Sequence, residues 1–227
     1  MLNGIIIIDK PSGYTSHDIV AIIRRITKVK RVGHAGTLDP LATGVLPILI
    51  GSATKLSATL TGGDKEYIAT IKFGEKRDTD DAKGVIVETK DVPKDLEVRI
   101  KEVLPKFLGK ITQRVPDYSA VKKEGRTLYK MARRGEKFEA PLREVNIENI
   151  EIMGVEDASI TVRVKCSKGT YIRALARDMG EAIGTFAHIS ALRRTVSSGF
   201  KIEAATKLSE ISTLQDVERM LHGRQLL

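Results

Sequence analysis

The chain of 227 residues is poor in thiols, in spaced metal ligands and in long apolar runs. One cysteine, Cys166, excludes an intrachain disulfide, and a reduced, cytoplasmic protein is expected. Four histidines (His17, His34, His188, His222) and that thiol show no paired spacing, so no metal site is expected. No apolar run approaches the ~18 residues of a membrane span. The isoleucines at 5–8 stop at Asp9 and Lys10, and the same charges come too early for a signal-peptide core. Acidic residues are the minority, 29 against 38 basic, which leaves a net charge of +9. What is present is ordinary for a globular protein: 41% hydrophobic and 30% charged residues, more apolar content than a disordered chain carries. Excess positive charge without a long basic tail suggests a folded surface that meets polyanions, nucleic acid first.

Residues 4–8 read as a buried strand ending in the turn cluster Asp9-Lys10-Pro11-Ser12-Gly13. Ser16 can cap a helix with Ile19, Ile22, Ile23 and Ile26 on one face. Strands are expected at 45–50, 66–73, 145–153 and 160–166, with residues 85–87 pairing back onto 66–73. A helix over 96–108 must kink or end at Pro105, and another starts near Thr170. Strands and helices mix without a regular βαβ alternation or internal repeat, which favours an α+β fold. Residues 122–143 stand out by charge, with eight basic residues against three acidic.

Two apparent motifs fail on spacing. An EF-hand counted from Asp78 would need glycine at Lys83 and glutamate at Thr89. Gly51-Ser-Ala-Thr-Lys55 lacks the spacing of a phosphate loop. The loop Gly33-His-Ala-Gly-Thr-Leu-Asp-Pro-Leu-Ala-Thr-Gly-Val-Leu46 is more demanding, because its glycines permit close approach by a ligand and it holds a lone carboxylate, Asp39. Asp39 with Pro40 also fits a helix N-cap and first-turn proline, and a rigidly held cap can equally be a well-aimed nucleophile. His34 fits a surface hydrogen-bonding residue or a ring that stacks on a base. Tyr67 and Tyr171 fit core aromatics, and Arg173 fits either a surface cation or the partner that keeps a buried carboxylate ionised.

Taken together, these blocks resemble the TruB-type tRNA pseudouridine synthases, which act on uridine 55 in the T-loop. The blocks are Asp9-Lys-Pro-Ser-Gly13, residues 33–47, Lys65-Glu-Tyr67, Asp78-Thr-Asp-Asp-Ala82, Gln113 with 116–122, Gly125-Arg-Thr-Leu-Tyr129, residues 166–178, and His188 with Leu192-Arg-Arg194. The resemblance implies one α+β catalytic domain over residues 1–227, its mixed, largely antiparallel sheet split by an active-site cleft. It implies a basic RNA-contacting insertion at 112–145 and a short helical tail at 201–227. Asp39 matches the catalytic aspartate, Tyr67 the tyrosine that stacks on the target uracil, and Arg173 the partner of the catalytic carboxylate. His34 matches the residue that fills space in the reshaped T-loop. Tyr171 and Leu192 match pocket-lining residues, and Lys10 lies in a motif that shapes the cleft floor. Arg126, Lys130, Arg133 and Arg134 are the expected contacts to the RNA backbone.

The implied reaction breaks the N1–C1′ bond, turns the uracil and joins C5 to C1′, with no cofactor. Asp39 could attack C1′, attack the base, or remove a sugar proton; all three fit. The base must leave its stack, a cost of a few kcal/mol offset by Tyr67 and His34. The expected partner is the tRNA T-arm, with no membrane, no obligate protein partner and a monomeric state. The chain departs from the family in reading Val115-Pro116-Asp117 where Pro-Pro is usual. After Phe200 only 27 residues follow, too few for a complete C-terminal PUA domain. A non-catalytic RNA binder and an RNA-guided relative with protein partners are the rival readings.

Overall fold

The computed structural model describes residues 2–222 of the chain. It begins with β1 (Gly4–Lys10), α1 (Ser16–Thr27), β2 (Val32–His34), β3 (Thr43–Ile50), α2 (Ser57–Gly62) and β4 (Lys65–Phe73). Next come β5 (Glu75–Arg77), β6 (Ile86–Thr89), α3 (Leu96–Val103), β7 (Gly109–Arg114), β8 (Lys122–Lys123), β9 (Arg126–Thr127) and α4 (Leu128–Arg133). They are followed by β10 (Leu142–Glu156), β11 (Ser159–Cys166), α5 (Ile172–Ala182), β12 (Ala187–Ser197), β13 (Phe200–Lys201), β14 (Thr206–Lys207) and α6 (Leu214–Arg219). The fold is α+β with a large, mostly antiparallel sheet, as the mixed element pattern implied. Its residues divide into two compact units, 2–68 with 192–222 and 69–191.

In the first unit the strand order is β14-β1-β3-β12. β1 runs antiparallel to β3 from Gly4↔Ile50 to Lys10↔Gly44. β12 joins β3 in parallel at Arg193↔Thr43 and Arg194↔Gly44. Every residue of β3 from Gly44 on is buried, so it reads as an unbroken apolar run rather than an alternating one. α1 buries Ile19, Val20 and Ile23. Its N-cap is Thr15 rather than Ser16: Thr15 Oγ1 accepts from the Asp18 N–H and the Asp18 carboxylate accepts from the Thr15 N–H. Asp18 closes this box because it stands three residues after Thr15, the reciprocal spacing that Ser16 lacks. The tail is not simply helical. Thr206 and Lys207 add in parallel to the edge of β1 and so cover its unpaired backbone groups, and the helix α6 is short. Residues 223–227 of the expected tail lie outside the described residues.

In the second unit the order is β4-β11-β10-β7, with residues 69–73 of β4 in this unit and residues 65–68 in the first. β4 alternates strictly, burying Tyr67, Ala69, Ile71 and Phe73 as the sequence pattern predicts. Residues 85–87 do not pair with it. β6 pairs with β5 instead, which leaves Val85, Ile86 and Val87 exposed. Pro105 ends α3, which gives way to a 3-10 turn at Leu104–Phe107. α5 buries Ile172, Leu175, Ala176 and Met179, the expected inward face.

Candidate active site and basic segment

The loop that carries Asp39 runs between β2 and β3 without forming a helix, so Asp39 is not a helix cap. Backbone and hydroxyl bonds hold it instead. The Ala42 N–H donates to the Asp39 carbonyl at 3.0 Å, the Gly13 N–H to the Pro40 carbonyl at 2.8 Å, and the Ala35 N–H to the Pro47 carbonyl at 2.9 Å. Ser16 Oγ, freed from capping, accepts from the Leu38 N–H at 2.9 Å. The principal clamp is Arg194 in β12, 1% exposed. Its guanidinium donates to the carbonyls of Val45 (2.8 Å), Gly36 (2.9 Å) and Thr37 (3.3 Å). A buried arginine satisfied by three carbonyls fixes the backbone on both sides of Leu38–Asp39. Gly36 has φ +95. At Gly44, with φ +100, any Cβ would sit 2.2 Å from the Arg194 carbonyl oxygen, so glycine is required where β3 and β12 meet.

Lys10 is fully buried, and its Nζ donates to the carbonyls of Tyr14 (2.7 Å) and Pro11 (2.9 Å). Burial lowers its pKa to about 8; the Asp39 charge works against that shift and the Arg194 charge with it. His34 lies at the end of β2, its ring edge-on to His17 at 5.3 Å. Its Nδ1 is buried without a hydrogen-bond partner, and burial, with the charges of His17 and Arg194, lowers its pKa to about 4. The ring is therefore neutral at physiological pH. Tyr67 (9% exposed) and Leu192 (8%) are core positions of β4 and β12. Asp39, Lys10, His34, Tyr67 and Leu192 all belong to the first unit.

Arg173 and Tyr171 belong to the second unit. Tyr171 precedes α5, and the Gln113 side chain brackets its peptide, accepting from the Tyr171 N–H at 3.0 Å and donating to its carbonyl at 3.2 Å. The Arg143 guanidinium lies over the Tyr171 ring at 5.9 Å. Arg173, in the first turn of α5, is 4% exposed. It donates to the carbonyls of Thr79 (2.8 Å) and Tyr118 (3.0 Å), and its Nε lies 4.0 Å from Asp81 Oδ2. That makes it no surface cation.

Residues 115–141 connect β7 to β10, which pair at Arg114↔Leu142. Arg126, Lys130, Arg133 and Arg134 are exposed there. The segment has a small core of its own, Val115, Leu128, Met131 and Ala140, with Val121, Phe138 and Tyr171 packed against it. Its charge density hides this anchor in the sequence, because apolar residues spaced 13, 3 and 9 apart follow no single period.

Two family descriptions match the chain: "TruB family pseudouridylate synthase (N terminal domain)" over residues 24–172 and "tRNA pseudouridylate synthase B C-terminal domain" over 173–225. The chain belongs to the TruB family. A curated relative, tRNA pseudouridine synthase B of Francisella philomiragia, is 44% identical over 96% of this chain and 73% of that protein. The namesake of Xanthomonas axonopodis pv. citri is 45% identical over 94% and 69%. That of Opitutus terrae is 42% identical over 97% and 92%. A chain of the Cbf5–Nop10–Gar1 complex superposes with a TM-score of 0.71 at 36% identity, over 91% of this chain. This chain spans about half of that one, 53%. Arg194, which clamps the Asp39 loop, is a residue to which the sequence alone assigns no role. Its signal was its place beside Leu192 in a matched block, but nothing local tells a buried arginine from a surface one.

Proposed function

We propose that this TruB-family chain isomerises uridine to pseudouridine at position 55 in the T-loop of tRNA. The observation that carries the reading is the Asp39 loop: a carboxylate on a non-helical segment whose flanking carbonyls are gripped by buried Arg194. A group held this way meets its substrate with little reorganisation, which is what catalysis by one carboxylate needs. Asp39 acts on the flipped nucleotide as the N1–C1′ bond breaks. The uracil turns, C5 joins C1′, the C5 proton leaves and N1 gains one. Tyr67 stacks on the uracil and assists proton removal; Tyr171 and Leu192 line the uridine pocket.

Arg173 serves as the cationic partner of the Asp39 carboxylate. Lys10, whose pKa burial lowers to about 8 against the opposing pull of the Asp39 charge, shapes the cleft floor and adds positive potential. His34 fills the position the base vacates, and a neutral imidazole does so without desolvating a charge. Arg126, Lys130, Arg133 and Arg134 grip the RNA backbone of the T-arm. No cofactor is needed, since the reaction neither transfers a group nor changes oxidation state. The protein works as a cytoplasmic monomer. Among the described residues no helix is long and apolar enough to cross a membrane.

A purified sample incubated with unmodified tRNA transcript, followed by carbodiimide mapping and primer extension, tests the reading. One stop, at the T-loop uridine, is expected. No stop anywhere in the transcript would favour a non-catalytic RNA binder.

A further inference from the structure

Arg173 and Arg177 stand one turn apart on α5, and both reach to the same turn of chain, residues 79–81. Arg173 takes the outer two residues, donating to the Thr79 carbonyl and facing Asp81. Arg177 takes the middle one, its Nη1 lying 3.0 Å from Asp80 Oδ2. Asp80 has φ +58, a left-handed conformation that its surroundings must hold in an L residue. Its N–H donates to the Arg77 carbonyl at 3.2 Å and its carbonyl accepts from Ile189 at 3.1 Å, which leaves the side chain as the remaining handle.

The Arg177 guanidinium is committed on every side. Nε and Nη2 meet Asp178 Oδ1 at 2.9 and 2.8 Å, and Nη2 donates to the Arg114 carbonyl at 3.0 Å. Arg177 is 9% exposed, and burial pushes the carboxyls of Asp80 and Asp178 up against the pull of its charge. Such a desolvated cluster is a poor source of stability, since apolar side chains of similar volume would serve as well. What it supplies is geometry.

We propose that Arg177, acting through Asp80, is a positioning residue for Arg173: it fixes the 79–81 turn that aims the Arg173 guanidinium. The inference rests on the reading of Arg173 as the cation that serves Asp39. Full-length Arg177→Met, Arg177→Lys, Asp80→Asn and Arg173→Met, with the Arg173→Met/Arg177→Met double variant, test it by melting temperature, tRNA affinity and single-turnover rate at saturating tRNA. Arg177→Met should slow the single turnover roughly 10- to 100-fold, as a small misplacement of a reacting group does. Its tRNA affinity should stay within about threefold, since the loss falls on the chemical step. Arg177→Lys should recover part of the rate.

The double variant should be no slower than Arg173→Met alone, because the effect passes through Arg173. A folded Arg177→Met with normal turnover, or two losses that multiply in the double variant, overturns the proposal. If Arg177→Met does not fold, Asp80→Asn decides, since asparagine tolerates the left-handed backbone and keeps the shape; an unchanged rate there overturns it equally. Normal turnover in Arg173→Met would defeat the underlying reading and this inference together. A slow Arg173→Met beside a normal Arg177→Met defeats this inference alone.

Discussion

The Asp39 loop and the 115–141 segment are both irregular stretches between strands, yet they are held by opposite means. The loop is tied through its backbone: Arg194 spends its guanidinium on carbonyls, Ser16 on the Leu38 peptide, and glycines admit the close contacts. The segment is tied through a few apolar side chains, while its charges point to solvent or to one another, as in the Arg126–Glu136 pair at 2.8 Å. Backbone anchoring fixes the position of one atom group and suits chemistry. A small core beneath exposed cations fixes a surface and leaves its charges free to meet a polyanion, which suits binding. The two regions should therefore fail in different ways.

Asp39→Asn gives the sharpest contrast. Asparagine keeps size and hydrogen-bonding oxygen but cannot carry the charge. Pseudouridine formation should fall to background, while tRNA affinity stays within about threefold, as expected when a group acts only in the chemical step. Filter binding and carbodiimide mapping on one preparation check both halves. Residual turnover well above background would remove Asp39 from the chemistry.

Arg194→Met comes next. It strips the carbonyls of Gly36, Thr37 and Val45 of their donor within the core, a loss of about 3 kcal/mol or more by the worth of charged hydrogen bonds and the cost of orphaned acceptors. Chemical denaturation should register that loss, and activity under folding conditions should drop as well. A stable, inactive variant would make Arg194 a positioning residue in the strict sense. A stable, active one would break the account of the loop.

How much of this was legible in the sequence follows the same division. Regular elements with a clear period were readable: β4 from its alternation, the inward face of α5 from Ile172, Leu175, Ala176 and Met179. The matched blocks already carried Asp39 and Arg173. Contacts made at long range were not readable. Arg194 meets Gly36 across 158 residues, and Gln113 meets Tyr171 across 58, distances at which no local pattern exists. The partner of β6 was hidden for a related reason: strand propensity says that residues 85–87 extend, but not which strand they lie beside, and that strand is β5. The Thr15 cap is a local ambiguity, since Thr15 and Ser16 are both good caps and the decision falls to the reciprocal Asp18.

His34 offers a pH test of the loop side. Unfolded, the ring protonates below its ordinary value of 6.5; folded, it stays neutral to about 4. Between those values the unfolded state binds the extra proton, so the folded state loses stability as pH falls through that window, by up to about 3 kcal/mol at its lower end. His34→Leu should flatten that part of the stability profile. NMR titration of the wild-type ring should show no protonation at pH 6. A ring that titrates near 6.5 would mean the imidazole is solvated and able to enter RNA as a cation.

The smallest effect on the fold should come from changing Arg126, Lys130, Arg133 and Arg134 together to Gln. All four are exposed, and the Arg126–Glu136 pair, with Arg126 about half exposed, contributes within the ~0–1 kcal/mol of surface pairs. The core of Leu128 and Met131 is untouched, so the melting temperature should hardly move. Affinity for tRNA should weaken, because fewer counterions are released on binding. The slope of log K against log salt should flatten by ~0.7–0.9 for each phosphate that the variant no longer neutralises. Single turnover at saturating tRNA should stay near wild type, as expected of groups that act in binding and not in the chemical step. An unchanged slope would mean that this surface does not grip the backbone, and the RNA path would then follow Arg24, Arg25, Lys28, Lys30 and Arg31 around the end of α1. A depressed single-turnover rate with normal affinity would erase the contrast between the two regions, because the segment would then take part in shaping the site rather than in holding the RNA.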